Sequence, residues 1–113
     1  MTARPVAEVF STVVGEGYAE AVEHGSGGSR GISLRGGRLV VWTEERGRRE
    51  VLIDVLLDRG DAVAVYEALK RLEDGMQFNQ LFNVLTNAEM CVGTDGRVHF
   101  CDEDFDYVVG GHE

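Results

Sequence analysis

The stretch ISLRGGRLVVWTEERGRREVLIDVLL (residues 32–57) decides how this chain is read. It contains three apolar runs, Ile32–Leu34, Leu39–Glu44 and Glu50–Leu57, separated by Gly36-Gly37 and Arg46-Gly47. Glycine adopts the left-handed backbone that twist-matched two-residue turns need, so each separator reads as a hairpin turn. The stretch is therefore expected to form a three-stranded antiparallel meander. Such turns place Arg35 opposite Arg38, Glu45 opposite Arg48 and Glu44 opposite Arg49.

That register has a consequence for the faces. One face collects Ile32, Leu34, Leu39, Val41, Leu52 and Leu56. The other collects Val40, Trp42, Val51, Ile53, Val55 and Leu57. Both are apolar, whereas an antiparallel sheet with one wet side should alternate apolar and polar. Helices of the same chain can cover both faces. Alternatively, another chain covers the second face, since an apolar patch of that size is a liability in a monomer. In that case Val40, Trp42, Val51, Ile53 and Val55 are the expected partner-binding residues, with Trp42 as the anchor.

Working outward, residues 5–24 carry Val6, Phe10, Val13, Val14, Tyr18, Ala21 and Val22 at helical spacing, with Pro5 suited to a first turn. They predict an N-terminal helix, weakened by Gly15 and Gly17. Gly25-Ser26-Gly27-Gly28-Ser29 reads as a loop. Beyond the meander, a helix is expected from Ala62 to Glu73 after an Asp61 N-cap, ending at Asp74-Gly75. Phe78, Leu81, Phe82 and Leu85 continue the helical phase over 76–86. Ala88–Val92 and Val98–Cys101 form a second hairpin around Asp95-Gly96. Residues 105–109 add a short strand or pack irregularly. The expected fold is one α+β domain over residues 1–113: an N-terminal helix, a three-stranded antiparallel meander, a helix or helix pair, and a C-terminal β-hairpin.

Charge is distributed unevenly. Twenty Asp and Glu oppose eleven Lys and Arg, a net of −9. Residues 1–49 are nearly neutral and residues 50–113 carry almost all the excess acid. Arg30, Arg35, Arg38, Arg46, Arg48 and Arg49 crowd into the meander, but Glu44 and Glu45 lie opposite two of them. Nucleic acid is therefore not the expected partner, because phosphate affinity needs clustered unpaired cations. The acidic run Asp102, Glu103, Asp104 and Asp106 offers a surface for a basic partner or a solvated rim. Its spacing approaches a calcium loop, but Tyr107 stands where that loop needs glycine.

No catalytic set, metal site or cofactor motif stands out. Cys91 and Cys101 lack metal spacing, and a two-residue Asp95-Gly96 turn points them to opposite faces, so free thiols in a reducing cytoplasm are expected. His24, His99 and His112 are scattered. Glu16, Asp54, His99 and Cys91 are the available candidates for an enzyme or ligand-binding domain with a pocket between sheet and helices. No run of about 18 apolar residues suggests a membrane span.

The order α-β-β-β-α-β-β, small size and acidity resemble the type III secretion chaperone-like fold. Leu81-Phe82-Asn83-Val84-Leu85-Thr86-Asn87, followed by the hairpin containing Asp95-Gly96-Arg97-Val98, is similar to that family's helix and β-hairpin. The resemblance covers roughly residues 32–101 and implies a non-enzymatic dimer that binds an extended client segment. The expected function is thus a cytoplasmic protein-binding module, a chaperone, adaptor or inhibitor, working as a homodimer through an apolar sheet face and an acidic surface. A small acidic immunity or anti-defence inhibitor from a mobile element or phage is the alternative, using carboxylates against a basic target.

Overall fold

The glycine-containing turns organise the protein, and there are two more hairpins among them than the sequence suggests. A computed structural model describes residues 9–110. Among these the order is β1 (Val9–Gly15), β2 (Tyr18–His24), β3 (Ser29–Arg35), β4 (Arg38–Glu45), β5 (Arg48–Leu56), α1 (Arg59–Arg71), α2 (Gly75–Asn87), β6 (Met90–Val92), β7 (Val98–Phe100) and α3 (Glu103–Val109). Strands β1 to β5 form one antiparallel sheet in chain order, and β6 with β7 forms a separate hairpin.

The expected N-terminal helix is replaced by the β1–β2 hairpin over residues 9–24; residues 5–8 lie outside the described part. The glycines that weakened a helix reading mark the turn. Gly15 pairs with Tyr18 around Glu16-Gly17, and Gly17 has a φ of 69°. Along β2 the side chains alternate: Ala19 and Ala21 are fully buried, while Tyr18, Glu20 and Val22 are half-buried. The expected three-stranded meander is thus the last part of a five-stranded one.

The Gly36-Gly37 and Arg46-Gly47 turns form as expected, each with positive φ at both central residues, as type I′ turns require. Arg35 pairs with Arg38, Glu44 with Arg49 and Glu45 with Arg48. The register then slips between Val41 and Trp42: Trp42 pairs with Val51, but Val41 pairs with Ile53. Leu52 is the extra residue of a β-bulge. Because side chains alternate with period two, one inserted residue exchanges the faces of everything after it. Ile53, Val55 and Leu57 therefore join Ile32, Leu34, Leu39 and Val41 on the core face. Leu56 moves to the other side, opposite Arg38. The two-sided apolar sheet becomes a sheet with one core face and one mixed face.

Deleting Leu52 tests this account. The ladder becomes regular and Ile53, Val55 and Leu57 stay inward, so the expected cost is about 1 kcal/mol. Turning those side chains outward would instead cost about 1.5–3 kcal/mol for each one fully buried. Denaturant unfolding of the deletion variant distinguishes the two outcomes.

The helices cover the core face. Helix α1 is capped by Asp58, whose side chain accepts the Asp61 N–H, so it begins one turn before the expected Asp61 cap. Asp74, expected as a stop, is the N-cap of α2 and accepts the Gln77 N–H at 2.9 Å. Phe78, Leu81 and Leu85 of α2 and Val65 and Leu69 of α1 are buried against the sheet's aliphatic residues. The small Ala19 and Ala21 let these helices lie close to β2.

The segment after β7, expected as a strand or an irregular tail, is helix α3. Asp102 is its N-cap, accepting the Asp104 N–H at 2.8 Å, and Glu103, Asp104 and Asp106 occupy the first turn. Carboxylates there complement the positive end of the helix dipole. Phe105 and Val109, four residues apart, are buried on one side, and Phe105 stacks on Phe100 with ring centroids 4.3 Å apart.

Candidate functional site

The mixed outer face begins from a glycine. Gly31 lies between Val22 and Trp42 in the strand register, and a Cβ built on it would overlap the Trp42 indole. Trp42 therefore lies flat over the β3 backbone and is only 4% exposed, although it stands on the uncovered face. The Arg49 guanidinium stacks over the indole at 3.8 Å, and its Nε donates to Glu44 Oε1 at 3.1 Å. Arg38 makes two hydrogen bonds of 2.7 Å to Asp54, and Arg35 lies 4.2 Å over the Tyr18 ring. The Arg38 guanidinium holds the Asp54 carboxyl below its usual range. Much of the Arg cluster is thus committed within the chain, as the cross-strand Glu44–Arg49 pairing anticipates.

Of the residues expected to bind a partner, the structure separates two groups. Val40 is half-buried on the outer face and Val51 is 52% exposed there. Ile53 is buried and Val55 half-buried on the core face, so neither is presented by the sheet to another chain. Sequence reasoning missed Leu52 and Leu56, which are 42% and 43% exposed on β5. The bulge puts them there, and periodicity alone carries no signal of a bulge. Strand β5 is also an edge of the five-stranded sheet. Beyond its end, Leu57 bridges to Val98 and the Asp58 N–H donates to the Val98 carbonyl at 2.9 Å. Among the described residues, the outer side of β5 itself has no strand neighbour.

The acidic residues lie elsewhere. Asp102 is occupied as a cap, and Glu103, Asp104 and Asp106 are exposed on α3, in the helical layer on the opposite side of the sheet from Val51 and Leu56. An apolar face and an acidic run that looked like parts of one surface are two surfaces.

The enzyme candidates do not converge. Glu16 is in the β1–β2 turn, Asp54 is on the outer face, and the space between sheet and helices is filled by the core. Cys91 is opposite His99, because the β6–β7 loop is longer than two residues and pairs Met90 with Phe100. That register sets Cys91 diagonal to Cys101, and the two form a disulfide with a Cα–Cα distance of 6.0 Å. The expectation of free thiols is corrected: a one-residue difference in register brings both sulfurs to one side.

Sequence reasoning also missed a cluster at the start of α1. Asp58, Asp61 and His99 place one potential ligand atom each within 4.8 Å of one another. Asp61 Oδ2 accepts the Phe100 N–H at 2.6 Å, which ties α1 to β7. Burial pushes the Asp61 carboxyl up, the Phe100 N–H opposes that, and the Asp58 and Asp106 carboxylates add to the rise. The Asp58-x-x-Asp61 spacing is visible in the sequence, but its nearness to His99 depends on β7 docking against the start of α1.

An open cleft of about 1150 Å³ lies between the Gly25–Gly28 loop and the β4–β5 turn, with Arg46, Arg48 and Glu50 on its walls. Its charges are mixed and its shape shallow. No family model, no curated protein and no solved structure matches this chain.

Proposed function

We propose that this chain is a non-enzymatic protein-binding module that pairs through the outer edge of β5, with a second copy of itself as the partner. The observation that carries the reading is the nine-residue edge strand with Val51, Leu52 and Leu56 all exposed. An edge strand presents unpaired backbone N–H and C=O groups to any chain that can add a strand. The end formed by Arg48, Arg49 and Glu50 is charged, which guards it against indiscriminate pairing. The aliphatic end has only Asp54 as a charge, and Arg38 holds it. The element order that suggested a chaperone-like resemblance differs from the order of this fold, so the proposal rests on the β5 edge.

Light scattering on the eluting protein tests the reading. The wild type at high micromolar concentration is expected at twice the 12.4 kDa chain mass, and a Val51→Lys/Leu52→Lys variant at the single-chain mass. Both positions are exposed, so each substitution should cost only about 0.5 kcal/mol of stability. A wild type that elutes as one chain, or a double variant that stays dimeric, overturns the proposal.

A further inference from the structure

We propose that Asp58, Asp61 and His99 bind a divalent transition-metal cation that clips the start of α1 to the β6–β7 hairpin. This site is independent of the β5 edge. Its ligands come from segments about forty residues apart in sequence, Asp58 and Asp61 from the α1 N-terminus and His99 from β7. All three are half-buried, unlike the exposed carboxylates of α3.

The coordination chemistry follows from how each side chain is already used. Asp58 Oδ1 accepts the Asp61 N–H at 2.9 Å, and Asp61 Oδ2 accepts the Phe100 N–H at 2.6 Å. Those bonds fix both carboxylates in place and leave the second oxygen of each available. The His99 imidazole makes no hydrogen bond among the described residues. Outer hydrogen bonds that orient metal ligands in advance are the usual support of a metal site. One imidazole nitrogen with two carboxylate oxygens suits zinc or manganese better than calcium, which prefers more ligands and oxygen alone.

The charge balance favours occupation. Neither Asp58 nor Asp61 has an ion pair with Lys or Arg among the described residues. The two carboxyl groups and the His99 imidazole share one half-buried corner. The helix dipole offers partial compensation only. A dication would neutralise both carboxylates and add a side-chain link between two elements that already meet here through the Phe100 N–H, the Asp58 N–H to Val98 carbonyl bond and the Leu57–Val98 bridge. With three protein ligands, water completes the coordination shell.

Titration calorimetry with Zn²⁺ on the disulfide-intact protein, after EDTA treatment and dialysis, tests the proposal. One zinc per chain is expected, with a rise in thermal midpoint of about 5 °C at saturation. His99→Gln should bind at least about tenfold more weakly. Asp58→Asn keeps a good N-cap and Asp61→Asn keeps an acceptor for the Phe100 N–H, so both should fold while losing affinity. A His24→Gln/His112→Gln variant should keep wild-type binding. Absence of stoichiometric binding in the wild type overturns the proposal, as does wild-type affinity in His99→Gln. Loss of binding in the His24/His112 variant would place the zinc elsewhere and overturn it equally.

Discussion

Trp42→Ala is expected to lower stability by about 3–5 kcal/mol, the range for removing a large buried aromatic. Its position on the uncovered face suggests an anchor for a partner, but its burial says otherwise. The indole fills the place of the side chain that Gly31 lacks, and Arg49 closes over it. Glycine inside a strand weakens the sheet, and an aromatic laid across it restores the lost packing. The same geometry makes Gly31→Val damaging, because the new side chain must displace the ring and overpacking costs about 1–3 kcal/mol or more. Denaturant unfolding followed by circular dichroism measures both. If Trp42 were an exposed docking residue, Trp42→Ala would change stability by less than about 0.5 kcal/mol and affect association alone. Val51 and Leu52 are therefore the right positions for probing association, and Trp42 is not.

How far the fold could be read from the sequence depended on which features act locally. Gly36-Gly37 and Arg46-Gly47 demand positive φ, and both turns formed with the inferred pairing of Glu44 with Arg49. The regular register ends at Leu52, because a bulge is set by what the two faces must bury and leaves no local mark. Once Leu52 is set aside, the run Val51-Leu52-Ile53-Asp54-Val55-Leu56-Leu57 alternates as a one-sided strand should: Ile53, Val55 and Leu57 inward, Asp54 and Leu56 outward. The N-terminal error has another cause. Val14, Tyr18 and Ala21 fall at i, i+4 and i+7, so a helical period is met across what are two short strands joined by a turn. The Gly15 and Gly17 pair was the better guide, since a turn there accommodates both.

The C-terminal region shows the same division. Asp102-Glu103-Asp104-Phe105-Asp106 resembled a cation loop or a docking strip when only its charge was weighed. A cap, an acidic first turn and apolar Phe105 and Val109 four residues apart are together a helix signature. The Cys91–Cys101 pairing depends on the β6–β7 loop exceeding two residues, and the Asp58, Asp61 and His99 cluster on β7 docking against the start of α1. Loop length sets hairpin register, so one misjudged turn hid the cross-link, while the metal-ligand cluster is a tertiary contact that carries no local mark.

Arg30→Ala is expected to cost about 3–5 kcal/mol, because it strands a buried carboxylate. Glu23 is 6% exposed at the end of the core face, and Arg30 pairs with it through both Nε and Nη2. Arg30 also donates from Nη1 to Asn79 Oδ1 at 3.2 Å, and its guanidinium lies 4.7 Å from the Phe82 ring centroid. It thus joins β3 to α2 by charge, hydrogen bond and ring contact. Removing it leaves Glu23 without its cation and exposes the rings it covers. The attraction within such a pair is largely offset by the desolvation of both ions, so the loss measures the stranded charge more than the pair. A Glu23→Leu/Arg30→Met variant should therefore recover most of the stability, to within about 1 kcal/mol of the wild type. Urea unfolding of Arg30→Met, Glu23→Leu and the double variant closes the cycle, with Arg30→Ala measured beside it. Equal losses in Arg30→Ala and the double variant would mean that ring packing by Arg30, and not the unpaired carboxylate, sets the cost.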